Sequence, residues 1–275
     1  MTLPTPHPAF HWTIEPWGAA LRCAPLSALA QHLFTTRQLG LRASGDPQPE
    51  AWAAVAASLG MAGAPIARVR QVHGDGVRVV GASGDAASGG EAAWRAALAE
   101  RPEADALVSR AAGVVLAVQV ADCVPMLLAD ARTGAVGAVH AGWRGTCARV
   151  APAALEAMAR EFGTRPEDVT AAIGPSIGPC CYEVGAELLQ RFEAGHHAEA
   201  DLARWFTRVD GKTMGTESLR LDVARANVDQ MTAAGVPPAR IFGCGLCTKC
   251  RHHLFDSFRA DQANAGRMAA AISGQ

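Results

Sequence analysis

The spacing of hydrophobic and polar residues changes along the chain and predicts a mixed α/β fold. The segment IARVRQVHG, from Ile66 to Gly74, alternates apolar and polar residues, which is typical of a half-buried strand ending near His73. The segments GVVLAVQVADC and VPMLLADARTGAVGAVHAGWRG are almost continuously apolar around the turn Arg132-Thr133-Gly134. Such runs predict central strands covered on both faces. We therefore expect a layered sandwich with a central mixed β-sheet covered by helices.

Three segments show the spacing of helices that cover a sheet. They are the alanine-rich stretch from Ala51 to Leu59, the face Val150, Ala154, Met158 and Phe162 that ends at Gly163, and the face Leu221, Ala224, Val228 and Met231 that ends before Gly235. A further strand is predicted at Val169–Ile173, and residues 81–104 predict a loop plus a short helix. The first sixty residues are weakly patterned. No repeat or linker divides the chain, so we interpret residues 1–275 as one catalytic domain.

Composition narrows the classes of partner and the cellular compartment. The net charge of −1 creates no global field that favours nucleic acid or an anionic membrane, so an anionic substrate must be held locally. The most apolar stretch, Val114 to Ala129, contains Gln119, Asp122 and Pro125 and is too short and polar to span a bilayer. The N-terminus lacks the pattern of an export signal, and the eight cysteines are then expected to be reduced. We predict a cytoplasmic protein.

Three residues that follow apolar strands could form an open metal site. His73, Cys123 and His140 lie in VHG, ADC and HAG, where neighbouring glycine or aspartate lets backbone approach a ligand. Catalytic zinc typically keeps three such ligands and one open position. Taken singly, each residue is more often a buried thiol or a hydrogen-bonded core histidine. The wide spacing along the chain does not decide between these readings.

A second candidate metal motif lies near the C-terminus. In CGLCTKCRHH, the residues Cys244, Cys247 and Cys250 have the spacing C-x2-C-x2-C and precede two histidines. This spacing is typical of a small structural zinc site, but such a site usually needs a second ligand pair elsewhere, and the chain has no other CxxC. The alternative is a loop of buried or redox-active thiols. Both interpretations stay open at this point.

The loop IGPSIGPCCYEVG carries two adjacent cysteines and the chain's single tyrosine. Cys180 or Cys181 could act as a nucleophile with His140 as base, which would require a lowered thiol pKa. The alternative is that one thiol packs in the core while the Gly-Pro loop forms the wall of a cleft. Tyr182 could stack on a substrate or only pack.

Three arginines are candidates for binding phosphate or a carboxylate. They are Arg37 in FTTR, Arg144 in HAGWRG and Arg259 in FDSFR. The planar guanidinium group suits bidentate recognition of oxyanions, although most arginines are solvated surface charges. Arg144 is favoured because it lies four residues after a proposed metal ligand.

Several motifs occur together and in order between about Gln71 and Met268. They are QVHG, ADALVS, ADCVPMLLAD, VGAVHAGWRGT, IGPSIGPCCYEVG, CTKC, FDSFRAD and GRM. Together they resemble the YfiH family, also called the laccase-domain or multicopper polyphenol oxidase family. The resemblance implies a YfiH-like fold and selects His73, Cys123 and His140 as the metal ligands, in preference to the CTKC cysteines.

The resemblance implies a zinc-dependent enzyme that cleaves adenosine, inosine, guanosine or methylthioadenosine with phosphate and also deaminates adenosine. Its partners would be a purine nucleoside and phosphate. On this basis we take Cys123, His140, His73 and Arg37 as catalytic. The predicted substrate-binding residues are Arg144, Arg259, Cys181 and Tyr182.

Two other functions attributed to similar proteins stay open. Copper-dependent oxidation of phenols is one, since copper also accepts His and Cys ligands, but nine histidines are few for a multicopper oxidase. Editing or binding of a peptidoglycan precursor is the other. The chain also departs from the family pattern: FTTRQLGLRASGDPQPEAW lacks the usual double glycine and asparagine, and FDSFRAD keeps Ser257, Arg259 and Asp261 but lacks a second arginine and an aromatic hydroxyl.

Overall fold

The computed structural model describes residues 2–42, 48–81, 98, 101–209 and 218–274, which contain both strands and helices. The helices are α1 (Ala24–Ser27), α2 (Pro49–Ser58), α3 (Trp143–Cys147), α4 (Val150–Phe162), α5 (Ala186–Ala194), α6 (Glu199–Trp205), α7 (Val223–Ala233) and α8 (Phe258–Asp261). Within these ranges no helix is both long and apolar enough to cross a membrane.

Two six-stranded sheets form the centre of the fold. The first contains β1 (Phe10–Glu15), β2 (Gly18–Cys23), β3 (Ala30–Thr35), β4 (Ile66–Ala67), β7 (Val115–Val120) and β15 (Met268–Gly274), in the order β1-β2-β3-β15-β7-β4. The second contains β5 (Val77–Val80), β6 (Ala106–Ser109), β8 (Val124–Asp130), β9 (Val136–Ala141), β10 (Val169–Ile173) and β14 (Ile241–Gly243), in the order β14-β10-β8-β9-β6-β5. A small third sheet contains β11 (Glu183–Gly185), β12 (Phe206–Arg208) and β13 (Ser218–Leu221).

The two large sheets pack face to face, and helices cover their outer faces. Alternate residues of β7, such as Leu116 and Val118, join one buried cluster with Leu127 of β8. The opposite faces of these strands meet α2 on one side and α4 with α7 on the other. Because successive side chains of a strand point to opposite faces, strands between two apolar layers must be apolar at nearly every position.

The prediction of a mixed α/β fold is confirmed, as are its central elements. Strands β8 and β9 enclose the predicted turn, β10 has the predicted bounds, and α4 is followed by Gly163, whose φ is 68°. The arrangement differs from the prediction in having two facing sheets where one central sheet was expected. Three strands, β1 to β3, also occupy the weakly patterned N-terminal region.

The predicted strand from Ile66 to His73 is mostly wrong. Only Ile66–Ala67 forms a strand, and His73 lies in a turn with a φ of 63°. The backbone N–H groups of Val72, His73 and Gly74 all donate to the carboxylate of Asp105, which replaces strand pairing in this segment.

The predicted face of the last helix is shifted. Leu221 belongs to β13, and α7 begins at Val223 after Asp222, whose side chain accepts from the N–H of Arg225. This cap starts the helix two residues later than the pattern indicated and places Met231 and its neighbours toward the core. The loop and helix predicted within 81–104 lie largely outside the described residues.

Candidate metal centre and its pocket

Three segments bring the predicted ligands together. Cys123 lies in the turn between β7 and β8, His140 lies near the end of β9, and His73 lies in the turn before β5. Strands β8 and β9 are antiparallel, and their register pairs Val124 with Ala141. Cys123, just before β8, is therefore close to the end of β9 that carries His140. The ligand atoms of His73, Cys123 and His140 all lie within 4.8 Å of one another. The three residues thus form one compact group of donors.

A buried carboxylate organises two of the three ligands. Asp105 is fully buried, and its Oδ1 accepts from the N–H of His73 at 2.9 Å and lies 2.8 Å from Nδ1 of His140. Its Oδ2 accepts from the N–H of Gly74 at 2.6 Å. A hydrogen bond from Nδ1 to a carboxylate fixes the ring and leaves Nε2 as the donor atom for a cation. Asp105 therefore supports both histidines at once.

The site favours the thiolate form of Cys123, whereas His140 must release a proton before it can bind a cation. Burial opposes ionisation of the Cys123 thiol, but the charge of His140 and hydrogen bonds from His140 and His73 lower its pKa below the ordinary value. Burial likewise opposes a charge on His140, but the Cys123 thiolate and Asp105 raise its pKa. The metal-free site thus favours the thiolate form, which is the form that binds metals. A thiolate and two imidazoles are a donor set that zinc accepts, and copper accepts it as well.

Gly142 lies directly against two of the ligands. A Cβ atom added there would lie 2.9 Å from Cδ2 of His73 and 3.0 Å from Sγ of Cys123. These distances are shorter than ordinary contacts, so either the ligands or the backbone would have to move. The absence of a side chain at position 142 is therefore part of the site's geometry.

We expect Gly142→Ala to weaken metal binding by about tenfold or more, since ligands must hold their geometry closely. The control is Gly243→Ala, because nothing lies within 4 Å of a Cβ at that position. Competition with a chromogenic zinc chelator measures both affinities. Equal zinc affinity in the two variants would contradict the structural role assigned to Gly142.

The three ligands open into a pocket of about 480 Å³. Its wall includes three arginines and three aromatic residues, which are Arg144, Arg259, Arg267, Trp143, Tyr182 and Phe258. A volume of this size falls within the usual range for small-molecule sites. The pocket thus combines an open donor set with groups that bind an anion and groups that contact a planar ring.

Two of the predicted substrate residues are held together at the pocket wall. The guanidinium of Arg259 lies 5.0 Å above the ring of Tyr182, and its Nη1 donates to the carbonyl of Glu183 at 2.9 Å. The backbone N–H of Arg259 also donates to Asp122 at 2.6 Å. Asp122 directly precedes Cys123, so this bond links the arginine to the ligand turn. Burial raises the pKa of Tyr182 to about 12, so its hydroxyl is protonated at neutral pH.

Arg144 lies in the same sequence motif as His140, four residues further along the chain. It lies in the short helix α3, and its guanidinium lies 4.4 Å from the ring of Trp143. Both residues line the pocket, so this cation-π contact lies at its wall. Predicted residues Arg144, Arg259 and Tyr182 are therefore brought together with the three ligands.

Two other predicted residues do not line this pocket. Arg37 lies 3.8 Å from Asp256 and 3.7 Å from Asp261 and also donates to the carbonyl of His252. It thus holds the segment that carries Arg259, and its catalytic role stays a prediction. Cys181 lies in a separate group of thiols, and its substrate-binding role also stays a prediction.

The sequence interpretation missed two residues of the site. Asp105 was visible as an acidic residue at the start of the apolar segment ADALVS, where burial of a carboxylate demands partners. Arg267 also lines the pocket, and its guanidinium donates to the carbonyl of Gly266 at 2.8 Å. Its sequence GRM carries no local signal for anion binding.

This combination defines a class of protein: a two-sheet α/β fold with an open His-Cys-His donor set at the base of a cationic pocket. The chain belongs to the multi-copper polyphenol oxidoreductase laccase family, whose sequence profile matches residues 29–275. The same family includes proteins called YfiH and YlmD, as the motifs indicated.

Two relatives carry names of purine enzymes. A purine nucleoside phosphorylase from Deinococcus radiodurans is 38% identical over 269 residues, which is 93% of each chain. Adenosine deaminase RL5, from an unknown prokaryotic organism, is 40% identical over 163 residues, which is 59% of each chain.

A solved structure supports the fold. The crystal structure of YlmD from Geobacillus stearothermophilus matches with a TM-score of 0.77 and 30% identity, over 96% of this chain and 98% of that one. The YfiH-type architecture is therefore shared along nearly the whole length of the chain.

Proposed function

We propose that this protein is a zinc-dependent purine nucleoside phosphorylase that also deaminates adenosine. The observation that carries the proposal is the convergence of His73, Cys123 and His140 with arginines in one pocket. The names of the relatives point to the same substrates. Adenosine, inosine, guanosine and methylthioadenosine share a purine ring and a sugar carbon that phosphate can attack.

In phosphorolysis, a phosphate oxygen attacks the anomeric carbon of the sugar while its bond to the purine nitrogen breaks. The purine leaves with the bonding electrons and gains a proton, which gives the free base and a sugar 1-phosphate. Arg144, Arg259 and Arg267 would hold phosphate against the sugar carbon, since guanidinium groups bind such oxyanions in bidentate geometry. Trp143 and Phe258 offer aromatic faces for the purine.

A zinc ion held by His73, Cys123 and His140 would supply Lewis-acid chemistry, and for deamination it would also lower the pKa of the attacking water. Asp105 would keep His140 in the tautomer whose Nε2 faces the pocket. In deamination, water replaces the amino group of adenosine, and ammonia leaves with the displaced electrons. The protonated hydroxyl of Tyr182 is available as a hydrogen-bond donor to either substrate.

Product analysis tests this function. Zinc-loaded protein is incubated with adenosine in the presence and absence of phosphate, and the products are separated by chromatography. We expect adenine and ribose 1-phosphate only when phosphate is present, and inosine in both conditions. Absence of all three products would overturn the proposal.

Arg144→Gln is expected to raise the KM for phosphate by about tenfold or more, because one charge-assisted contact to an oxyanion is lost. Deamination does not use phosphate, so its kcat/KM should fall much less. The control is Arg160→Gln, which removes a largely exposed arginine paired with Glu161. Steady-state rates at varied phosphate concentration measure the effect. An unchanged KM for phosphate would remove Arg144 from the anion site.

The family description favours copper-dependent phenol oxidation as a second candidate. Among the described residues, the groups suited to a metal are the His-Cys-His set and one group of four cysteines. Multicopper centres need more histidines than these groups contain. Stoichiometric copper after purification without added copper, together with oxygen uptake on a phenol, would favour this candidate over the purine reactions.

A further inference from the structure

Four cysteines from two distant segments converge at a second place in the fold. Cys180 and Cys181 lie in the loop after β10, and Cys247 and Cys250 lie in the turn after β14. Their sulfur atoms all lie within 4.8 Å of one another. Sγ of Cys250 lies 3.5 Å from that of Cys180 and 3.4 Å from that of Cys181. We call this group the four-cysteine cluster.

Backbone pairing brings the two segments together. Strands β10 and β14 are parallel neighbours, and the pairing continues beyond them through a bridge between Ser176 and Cys247. The N–H of Thr248 donates to the carbonyl of Ser176 at 3.0 Å. Because these bonds are backbone bonds, the fold itself places the two cysteine pairs side by side.

The spacing of the sulfur atoms matches a tetrahedral ion site. With a zinc to sulfur distance of about 2.3 Å, the sulfurs of a tetrahedral site lie about 3.8 Å apart. The sulfurs of Cys180 and Cys181 lie at almost equal distances from that of Cys250, so the geometry does not select one of these two pairs for a disulfide. All eight cysteines of the chain are free thiols in the structure.

One backbone donor favours the thiolate of Cys247, and a glycine lets the loop approach the cluster closely. The N–H of Gly178 donates to Sγ of Cys247 at 3.3 Å, and such bonds favour the charged form of sulfur. A Cβ atom at position 178 would lie 3.3 Å from Sγ of Cys180 and 3.5 Å from Cβ of Cys247. Glycine at this position therefore permits the close approach of the loop to both cysteine pairs.

We propose that Cys180, Cys181, Cys247 and Cys250 bind one thiophilic divalent ion, with zinc as the ion that this chemistry favours, in a closed structural site. Four sulfur ligands fill the tetrahedron and leave no open position for a substrate. Binding converts the thiols to thiolates and releases their protons to solvent. No change of oxidation state is involved.

The proposed ion would fix the wall of the pocket. The loop with Cys180 and Cys181 leads directly to Tyr182, and the turn with Cys250 leads to the segment that carries Arg259. Tyr182 and Arg259 contact each other in the pocket. An ion shared by the two segments would hold this contact in place, so the four-cysteine cluster acts on the pocket without touching its contents.

Zinc content distinguishes this site from the His-Cys-His set. Protein is expressed with ordinary zinc supply, purified under reducing conditions without added metal, and analysed by mass spectrometry for zinc and iron per chain. We expect Cys123→Ala to retain one zinc per chain, with an X-ray absorption signal from four sulfurs at about 2.3 Å. Cys180→Ser combined with Cys250→Ser should lose that zinc, and Cys147→Ser, which changes a thiol outside both groups, should not.

Absence of both zinc and iron from Cys123→Ala, or equal metal content in the wild type and the Cys180→Ser/Cys250→Ser variant, would overturn the proposal. Iron in place of zinc would keep the cation site but change its metal. These results do not depend on the purine reactions, so failure of the proposed function is distinguishable from failure of this site.

Alkylation of the unaltered protein keeps the proposal testable if the double variant does not fold. Metal-bound thiolates are protected, so a strong chelator should raise the alkylation rate of the four cysteines by about tenfold or more. Cys147 should react at the same rate with and without the chelator. Equal rates for the four cysteines in both conditions, or their recovery as disulfides, would contradict the ion site.

Discussion

Cys123→Ala is expected to lower both phosphorolysis and deamination by about 1000-fold or more. Loss of the thiolate removes the charged member of the donor set, and Lewis-acid stabilisation contributes several kcal/mol to a transition state, where about 1.4 kcal/mol corresponds to tenfold in rate. The fold should persist, because Cys123 is only half-buried and lies in a turn. Single-turnover rates with saturating adenosine and phosphate, together with circular dichroism, measure the two effects separately.

Cys147→Ala is the matched control for this loss. Cys147 is also a half-buried thiol, and its Sγ donates to the carbonyl of Arg191 at 3.3 Å, outside the pocket. Its rates should stay within about twofold of the wild type, as is usual for changes away from the reacting atoms. If Cys123→Ala keeps more than a tenth of the wild-type rate, the three-ligand site is not the catalytic centre.

Asp105→Asn is expected to weaken zinc binding at the His-Cys-His set by about 10- to 100-fold, as changes of residues that orient metal ligands typically do. An amide offers one oxygen where the carboxylate offers two, so its NH2 group would face an N–H donor or Nδ1 of His140. The free energy of unfolding should also fall by about 1 to 3 kcal/mol, because a buried donor loses its partner. Zinc competition and chemical denaturation measure the two quantities.

Asp130→Asn provides a control that separates stability from metal binding. Asp130 is also buried, and its Oδ1 accepts from the N–H groups of Arg132 at 2.8 Å and Thr133 at 3.2 Å. This variant should lose a similar amount of stability and keep its zinc affinity. Equal loss of zinc affinity in both variants would show that Asp105 acts only through overall stability.

Local patterns in the sequence predicted the elements that hold Cys123 and His140. Strands covered on both faces need apolar residues throughout, so β7 to β9 stand out, and polar residues at their ends are then conspicuous. The prediction that a strand ends at His73 is wrong, because His73 lies in a turn. Its segment alternates like a strand, but the buried carboxylate of Asp105 binds its N–H groups and turns the chain.

Features that depend on contacts between distant segments escaped prediction. The second ligand pair for Cys247 and Cys250 was sought as another CxxC, whereas the structure supplies the adjacent Cys180 and Cys181 through the pairing of β10 with β14. Cys244, the third member of the sequence motif, is buried and outside the cluster. No spacing rule within one segment contains this information.

The arrangement of two facing sheets also escaped prediction, because it depends on contacts between distant segments. Period-2 patterns indicate which residues of a strand are buried, but not which sheet the strand joins. Strand β15 illustrates this, since it joins β3 and β7 from the far end of the chain. The resemblance to the YfiH family supplied the ligand choice that local spacing did not.

We infer that the metal and the nucleoside occupy the same pocket. Crystals grown with zinc, phosphate and a slowly cleaved purine nucleoside analogue, measured at the zinc absorption edge, test it directly. We expect an anomalous peak within bonding distance of His73, Cys123 and His140, with the analogue beside it and phosphate against Arg144 or Arg259. An analogue bound elsewhere, or zinc present only at the four-cysteine cluster, would contradict it.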